Sequence, residues 1–178
     1  FPKFFHPDPT VKRQSGFLIP TIKNSANSTN YFSIPYFSAI SQNKDFTFTP
    51  RLYSNNDFLL QTEYRQENKN SSHITDVSLF NNKGNSKSHF FYSYNKFIEF
   101  ANFDEGNIDL KIEKTSNDTY LRKNKLSSVL FRNLNTLENT FGVNLSSDKV
   151  LLNTEFKVYE NLNEEKSSDR YEFILPKL

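Results

Sequence analysis

There is no cysteine in these 178 residues, so neither a disulfide framework nor a thiolate metal site can be built from them. Charge of one sign is missing as well. The 22 Lys and Arg against 20 Asp and Glu leave a net +2, too little to argue for a nucleic-acid partner. No basic run, RNA-binding aromatic signature or glycine-rich phosphate loop supports one either. No stretch approaches the roughly 18 apolar residues of a membrane helix. That excludes helical spans and leaves barrel strands open, because each of those carries only about ten alternating residues. Histidine is scarce: His6, His73 and His89 lie in different segments, none with a neighbour at metal-ligand spacing. A Ser-His-Asp set can be assembled on paper, but no nucleophile elbow accompanies it. The acidic pairs Asp104–Glu105 and Glu164–Glu165 fall in turn-like sequence and read as solvated. No enzyme, cofactor or metal is expected.

What is present is aromatic and alternating. The chain carries 19 Phe and 9 Tyr, yet its mean hydropathy is negative. Apolar residues recur with period 2. Ile108, Leu110 and Ile112 share one face against Asp109, Lys111 and Glu113. Phe46, Phe48 and Leu52 oppose Thr47, Thr49 and Arg51, and the same rhythm runs through 58–65, 141–146 and 150–158. Clusters such as NSANSTN, SQNKD, SNND, NKNSS, NNKGNSK, NFDEGN and NLNEEKSSD separate the runs. The pattern predicts an all-β, antiparallel up-and-down meander of about ten strands. Two of them, 87–99 and 148–160, exceed the usual globular length of about 5–6 residues. The opening FPKFFHPDPT has three prolines and no alternation, which places a linker or boundary near residues 9–15. With no Met at all, the chain reads as an internal piece of something longer.

Alternation alone suits two architectures, a soluble sandwich with a dry core and a membrane barrel with a lipid-facing side. Three details favour the barrel. Charges and Asn sit deep in the polar faces. Aromatic residues (Tyr31, Phe32, Tyr53, Tyr64, Phe103, Tyr159, Tyr171) gather near strand ends as interfacial girdles do. The connections run hairpin after hairpin, without the long crossover of a Greek key.

The prolines of GFLIP, SIP and FTP stand fifteen residues apart, at Pro20, Pro35 and Pro50. Proline has no N–H for a ladder and is normally confined to edges and bulges. A first turn around 26–28 sets Pro20 beside Ile34 and Pro35. A second turn about Asn43 sets Pro35 beside Arg51 and Pro50. The three either mark an edge with tolerated bulges or form a diagonal seam of missing hydrogen bonds in a closed sheet.

The stretch HPDPTVKRQSGFLIP, then NYFSIPYFSAI, KDFTFTPRLYSNNDFLLQTEYRQ, NDTYLRK and YEFILPKL, resembles the LptD family of lipopolysaccharide-assembly proteins, also called the organic solvent tolerance family. The likeness is strongest over residues 6–65. It implies a periplasmic jelly-roll that takes lipopolysaccharide from a bridge of the protein LptA. It also implies an outer-membrane barrel of about 26 strands, plugged by the lipoprotein LptE. Residues 1–14 would then be the jelly-roll exit and 15–178 the first barrel strands, open and incomplete by themselves. Pro20 and Pro35, with Pro50 on the third strand, fall where the family weakens the closure between first and last strands into a lateral gate. Phe17, Leu18, Ile19 and Ile34 would line the lipid's passage. Lys12 and Arg13 would meet lipid phosphates or anchor the strand at the interface. The family's cysteines have no counterpart here. Another outer-membrane barrel, a porin or receptor, and a secreted soluble β-sandwich remain the rival readings.

Overall fold

The computed structural model describes residues 13–24, 29–82, 84–100, 103–131 and 133–176. They form one antiparallel meander. Its first strand line is split into β1 (Gly16–Phe17) and β2 (Thr21–Lys23), and its second into β3 (Tyr31–Ser33) and β4 (Tyr36–Ser41). Then come β5 (Lys44–Tyr53), β6 (Phe58–Glu67), β7 (Ser71–Asn82), β8 (Asn85–Phe100), β9 (Phe103–Thr115), β10 (Thr136–Ser146), β11 (Leu151–Asn161) and β12 (Tyr171–Ile174). Each line pairs with the next in chain order, and the sheet does not close: the β1–β2 line is one edge and β12 the other. Ten lines joined by hairpins are what the alternation predicts. β8 and β11 stand where the two long strands were expected, at Asn85–Phe100 and Leu151–Asn161.

The expected turn at NFDEGN is narrower than its composition suggests, because β9 begins at Phe103. Asn107 and Gly106 already pair with Phe97 and Ile98. A second departure is the connection of β9 to β10. Residues 116–135 carry no alternation and no turn cluster, and they hold a one-turn helix, α1 (Tyr120–Lys123). Leu121, Leu126 and Leu130 from this segment are buried with Leu59, Phe91, Leu137 and Leu162. The segment therefore folds back over the sheet, and the chain's hydrophobic core forms under it, on what the sequence reads as the polar face.

The opposite face is bare. Phe48, Leu52, Phe58, Leu79, Phe90 and Phe141 are all exposed, Leu79 at 58% and Leu52 at 57%. They sit at alternate positions of five strands, so the apolar side chains form one continuous sheet face. Soluble proteins rarely leave so large an apolar patch in water. Strands β5 to β11 run 10 to 16 residues, and about 9–11 suffice to cross a bilayer when tilted.

One glycine is set by contact. A Cβ at Gly106 would lie 2.7 Å from both Ile98 Cγ1 and the Ile98 carbonyl oxygen, and 3.0 Å from Leu145 Cδ2. At Gly142 the nearest atom would be 3.8 Å away. Gly106→Ala is expected to destabilise the β8–β9–β10 end by about 1–3 kcal/mol through overpacking, whereas Gly142→Ala stays within about 0.5 kcal/mol. Amide exchange at residues 96–98 and 106–107 in the two variants checks this, and equal protection would refute it.

Candidate functional site

The gap in each of the first two strand lines falls where the prolines are. Phe17 pairs with Tyr36, and Leu18 N–H donates to the Pro35 carbonyl at 2.8 Å. Pairing resumes at Thr21 opposite Ser33. Between these points one residue, Ile34, faces two, Ile19 and Pro20. That two-against-one count is a β-bulge, and Pro20 lies within it. The Pro35 carbonyl points at the first strand, so its missing N–H lies on that side too. Leu18 donates and receives nothing in return.

Pro50 belongs to the same level. Tyr53 N–H bonds to the Asp57 carbonyl on the β6 side, and Ser54 N–H to the Asn30 carbonyl on the β3 side. Alternation along β5 then turns Pro50 toward β3 and β4. The β5–β6 ladder runs unbroken through Pro50 opposite Leu60, so β6 loses no bond. On the other side the Pro50 carbonyl accepts the Ser33 hydroxyl at 2.7 Å. The diagonal differs from expectation by two residues. Arg51 faces Ser33, which sets Pro50 level with Ile34 and Pro35 level with Thr49. The reason is a tight turn at Gln42–Asn43 with a bulge between Ala39 and Ser41. Pro20, Ile34 and Pro50 therefore share one level, with Pro35 one residue along. Phe17, Ile19 and Ile22 are exposed on the free edge, Ile19 at 87%, and Leu18 is exposed beside them.

Arg13 lies at the opposite end of the first strand line. Its guanidinium bonds to Asp45, which Arg65 Nε also holds at 2.8 Å, and it stacks on Phe37. Asp45 is nearly fully buried between the two arginines. Lys12, like residues 1–11, lies outside the described residues. Of the expected girdle, Tyr31 and Tyr53 turn to the covered face instead. Arg51 lies over the Tyr31 ring, and the Tyr53 hydroxyl bonds to Asn124.

The covered face also holds a polar chain that the sequence showed only as scattered residues. Tyr120 Oη and Ser78 Oγ are 2.6 Å apart, Ser78 Oγ and His89 Nδ1 2.6 Å, and His89 Nε2 and Asp76 Oδ1 3.1 Å. Gln61 Nε2 donates to Asp76 and, at 2.9 Å, to the Ser127 carbonyl. With the proton on His89 Nε2, every group finds a partner: Tyr120 donates to Ser78, Ser78 to His89, and His89 to Asp76. Ser, His and Asp thus meet, but Ser78, His89 and Asp76 are at most 2% exposed and Tyr120 1%. No substrate reaches Ser78. The chain joins residues of β6, β7 and β8 to the folded-back segment at Tyr120 and Ser127, so it works as a latch. Its alternate positions on adjacent strands (Gln61, Ser78, His89) were the available signal. What brings Tyr120 there is the 116–135 segment, which has no period to read. Burial pushes the Tyr120 phenol up to about 12. At the same end Arg170 binds Asp118 in a bidentate pair at 2.7 and 3.0 Å, holding that carboxyl below its usual range.

No family model matches the chain. It is similar to proteins named LPS-assembly protein LptD. One from Pseudoalteromonas atlantica is 25% identical over 173 residues, 95% of this chain and 22% of that protein. Another, from Sodalis glossinidius, is 43% identical over 54 residues, 30% of this chain and 7% of that protein. A third, from Shewanella oneidensis, is 37% identical over 68 residues, 36% of this chain and 9% of that protein. The chain thus spans about a fifth of the length of the relative it matches throughout.

Ser78→Ala leaves Tyr120 and His89 without their shared partner and is expected to cost about 1–3 kcal/mol. Trypsin should then cut at Arg122, Lys123 or Lys125 severalfold faster; an unchanged rate would refute the latch. Alkali should act alike. A raised phenol keeps its contribution whole below its ordinary pKa of about 10 and loses it toward about 12. The depressed Asp118 carboxyl behaves oppositely: its contribution is complete above the ordinary carboxylate pKa of about 4 and fades as acid drives the pH below that. Cleavage should therefore stay slow from about pH 5 to 9.

Proposed function

We propose that this chain is the first part of an outer-membrane barrel of a Gram-negative bacterium that assembles lipopolysaccharide at the cell surface. Residues 15–178 are its opening strands and residues 1–14 the exit from a periplasmic jelly-roll. The observation that carries this reading is the coincidence of Pro20, Ile34 and Pro50 at one level of three neighbouring strands, with Pro35 one residue away. A bare apolar sheet face and likeness to LptD along 95% of the chain support it. A soluble sandwich would have to cover that face, and a general porin gives no reason for an aligned weakness at the edge.

In the complete barrel the β1–β2 line meets the last strand, and this seam is the side door. Acyl chains leave through it past Phe17, Leu18, Ile19 and Ile34, while the charged headgroup stays on the polar side. LptA delivers the lipid from the periplasm, and LptE plugs the lumen. Arg13, already engaged by Asp45, anchors the strand at the periplasmic end.

Each ladder bond missing among the first three strand lines lets the first line bend away from its neighbour more easily, by on the order of 1 kcal/mol, about fivefold in the opening equilibrium. Pro20→Val with Pro35→Val in the full-length protein should slow surface delivery of lipopolysaccharide at least severalfold, measured by pulse labelling and surface accessibility. Ser33→Ala, which removes the one hydroxyl closing the gap, should not slow it. Normal delivery by the double variant would sink the gate.

A further inference from the structure

Between β2, the ends of β7 and β8, and the folded-back segment lies a cleft of about 280 Å³. Four lysines line it: Lys23, Lys87, Lys123 and Lys125. Among the described residues none of them has a carboxylate at ion-pair distance. Lys125 is the chief electrostatic neighbour of Lys23, and Arg51 is another. Arg51 lies beneath the cleft, 6% exposed. Its guanidinium stacks on Tyr31 and donates to the Asn124 carbonyl at 2.7 Å, again with no acid. The single carboxylate in the wall, Asp57, accepts from Asn55 at 2.7 Å and from Asn82 at 2.8 Å. Four lysines thus line a space whose one acid is held by two amides, with Arg51 behind Tyr31 and Asn124 of its wall.

Backbone strain points to the same place. Lys125 has φ 45°, just past α1, where glycine is the usual choice because a Cβ is unfavourable in the left-handed region. The folded-back segment keeps a lysine there at a conformational cost, and non-glycine residues in such conformations gather at functional sites. Crowded ammonium groups repel one another until an anion enters, and a phosphate offers several acceptor oxygens to several donors at once.

We propose that this cleft binds a phosphate group. Resting on the function proposed above, its ligand is the phosphorylated headgroup of the lipopolysaccharide as its acyl chains pass the neighbouring edge. Lys23 closes β2, the strand that follows the Pro20 bulge, so headgroup site and seam adjoin on one strand line.

The test uses the full-length protein in detergent with its plug lipoprotein. Three probes are titrated: bisphosphorylated lipid A, the same lipid enzymatically dephosphorylated, and inorganic phosphate. The bisphosphorylated lipid should bind about tenfold tighter than the dephosphorylated one. Lys125→Gly with Lys123→Gln should reduce that preference below about twofold, with an unchanged or raised Tm, because glycine relieves the left-handed strain. Lys125→Arg should keep the preference. Equal binding of the two lipids, or a preference that survives the double variant, overturns the cleft. Inorganic phosphate competing as strongly as the lipid overturns the lipid assignment and leaves a free-phosphate site. Equal binding of the two lipids by the unaltered protein, with delivery still dependent on Pro20 and Pro35, counts against the cleft alone. Failure of both lipids to bind the unaltered protein counts against both proposals.

Discussion

A proline has no N–H to give, and in this sheet that missing donor bears on one level of three adjacent strands. In an apolar surround every backbone donor and acceptor has to be satisfied within the sheet. At the level of the prolines this rule is met by substitutes: Leu18 bonds to Pro35 from one side only, and a serine hydroxyl caps Pro50. The edge is paired enough to exist and too thinly paired to be firm. A bulge at Pro20 adds to this, since it turns the first strand and leaves Ile19 almost wholly exposed.

The other face obeys the opposite rule. Polar groups there are sealed from water, and each costs free energy unless partnered. Tyr120, Ser78, His89, Asp76 and Gln61 meet that demand as a single file whose members all lie on inward positions. Losing Ser78, His89 or Asp76 strands a neighbour on each side, so the segment over residues 116–135 docks as a unit. Leucines of the same segment supply the apolar half of the contact. A wet polar face, as the alternation suggested, is therefore only part of the picture: its central stretch is a dry core.

The strands were legible because they obey period 2, and the register of the first hairpin followed from its turn position. The second register differs from expectation by two residues, since neither the tight turn at Gln42–Asn43 nor the bulge at Ala39–Ser41 leaves a mark in composition. Places near strand ends make Tyr31 and Tyr53 girdle candidates. Their parity in β3 and β5 sends them to the covered face, a distinction that counting from the strand end ignores. The folded-back segment was the largest omission. Its leucines follow neither period, and its burial depends on the sheet being there first. The Lys cleft could not be seen for the same reason, as Lys23 and Lys125 lie about a hundred residues apart and only that segment joins them.

β5 is where the two faces meet. Toward β3 and β4 it carries the gap at Pro50; toward β6 its pairing is continuous from Lys44 to Leu52. Its inward side chains, Arg51 and Tyr53, hold Asn124 of the folded-back segment. The segment in turn is latched to β6, β7 and β8. Weakness at the edge thus cannot spread: it ends at a strand braced through its side chains by the core behind it. On the function proposed above, the loosely paired edge is the leaf of a door and β5 with residues 116–135 its jamb. This also explains why the proline of the third strand points its missing donor outward. Had Pro50 fallen one position earlier or later, its gap would have opened the β5–β6 ladder, and the weakness would have entered the part of the sheet that the folded-back segment braces.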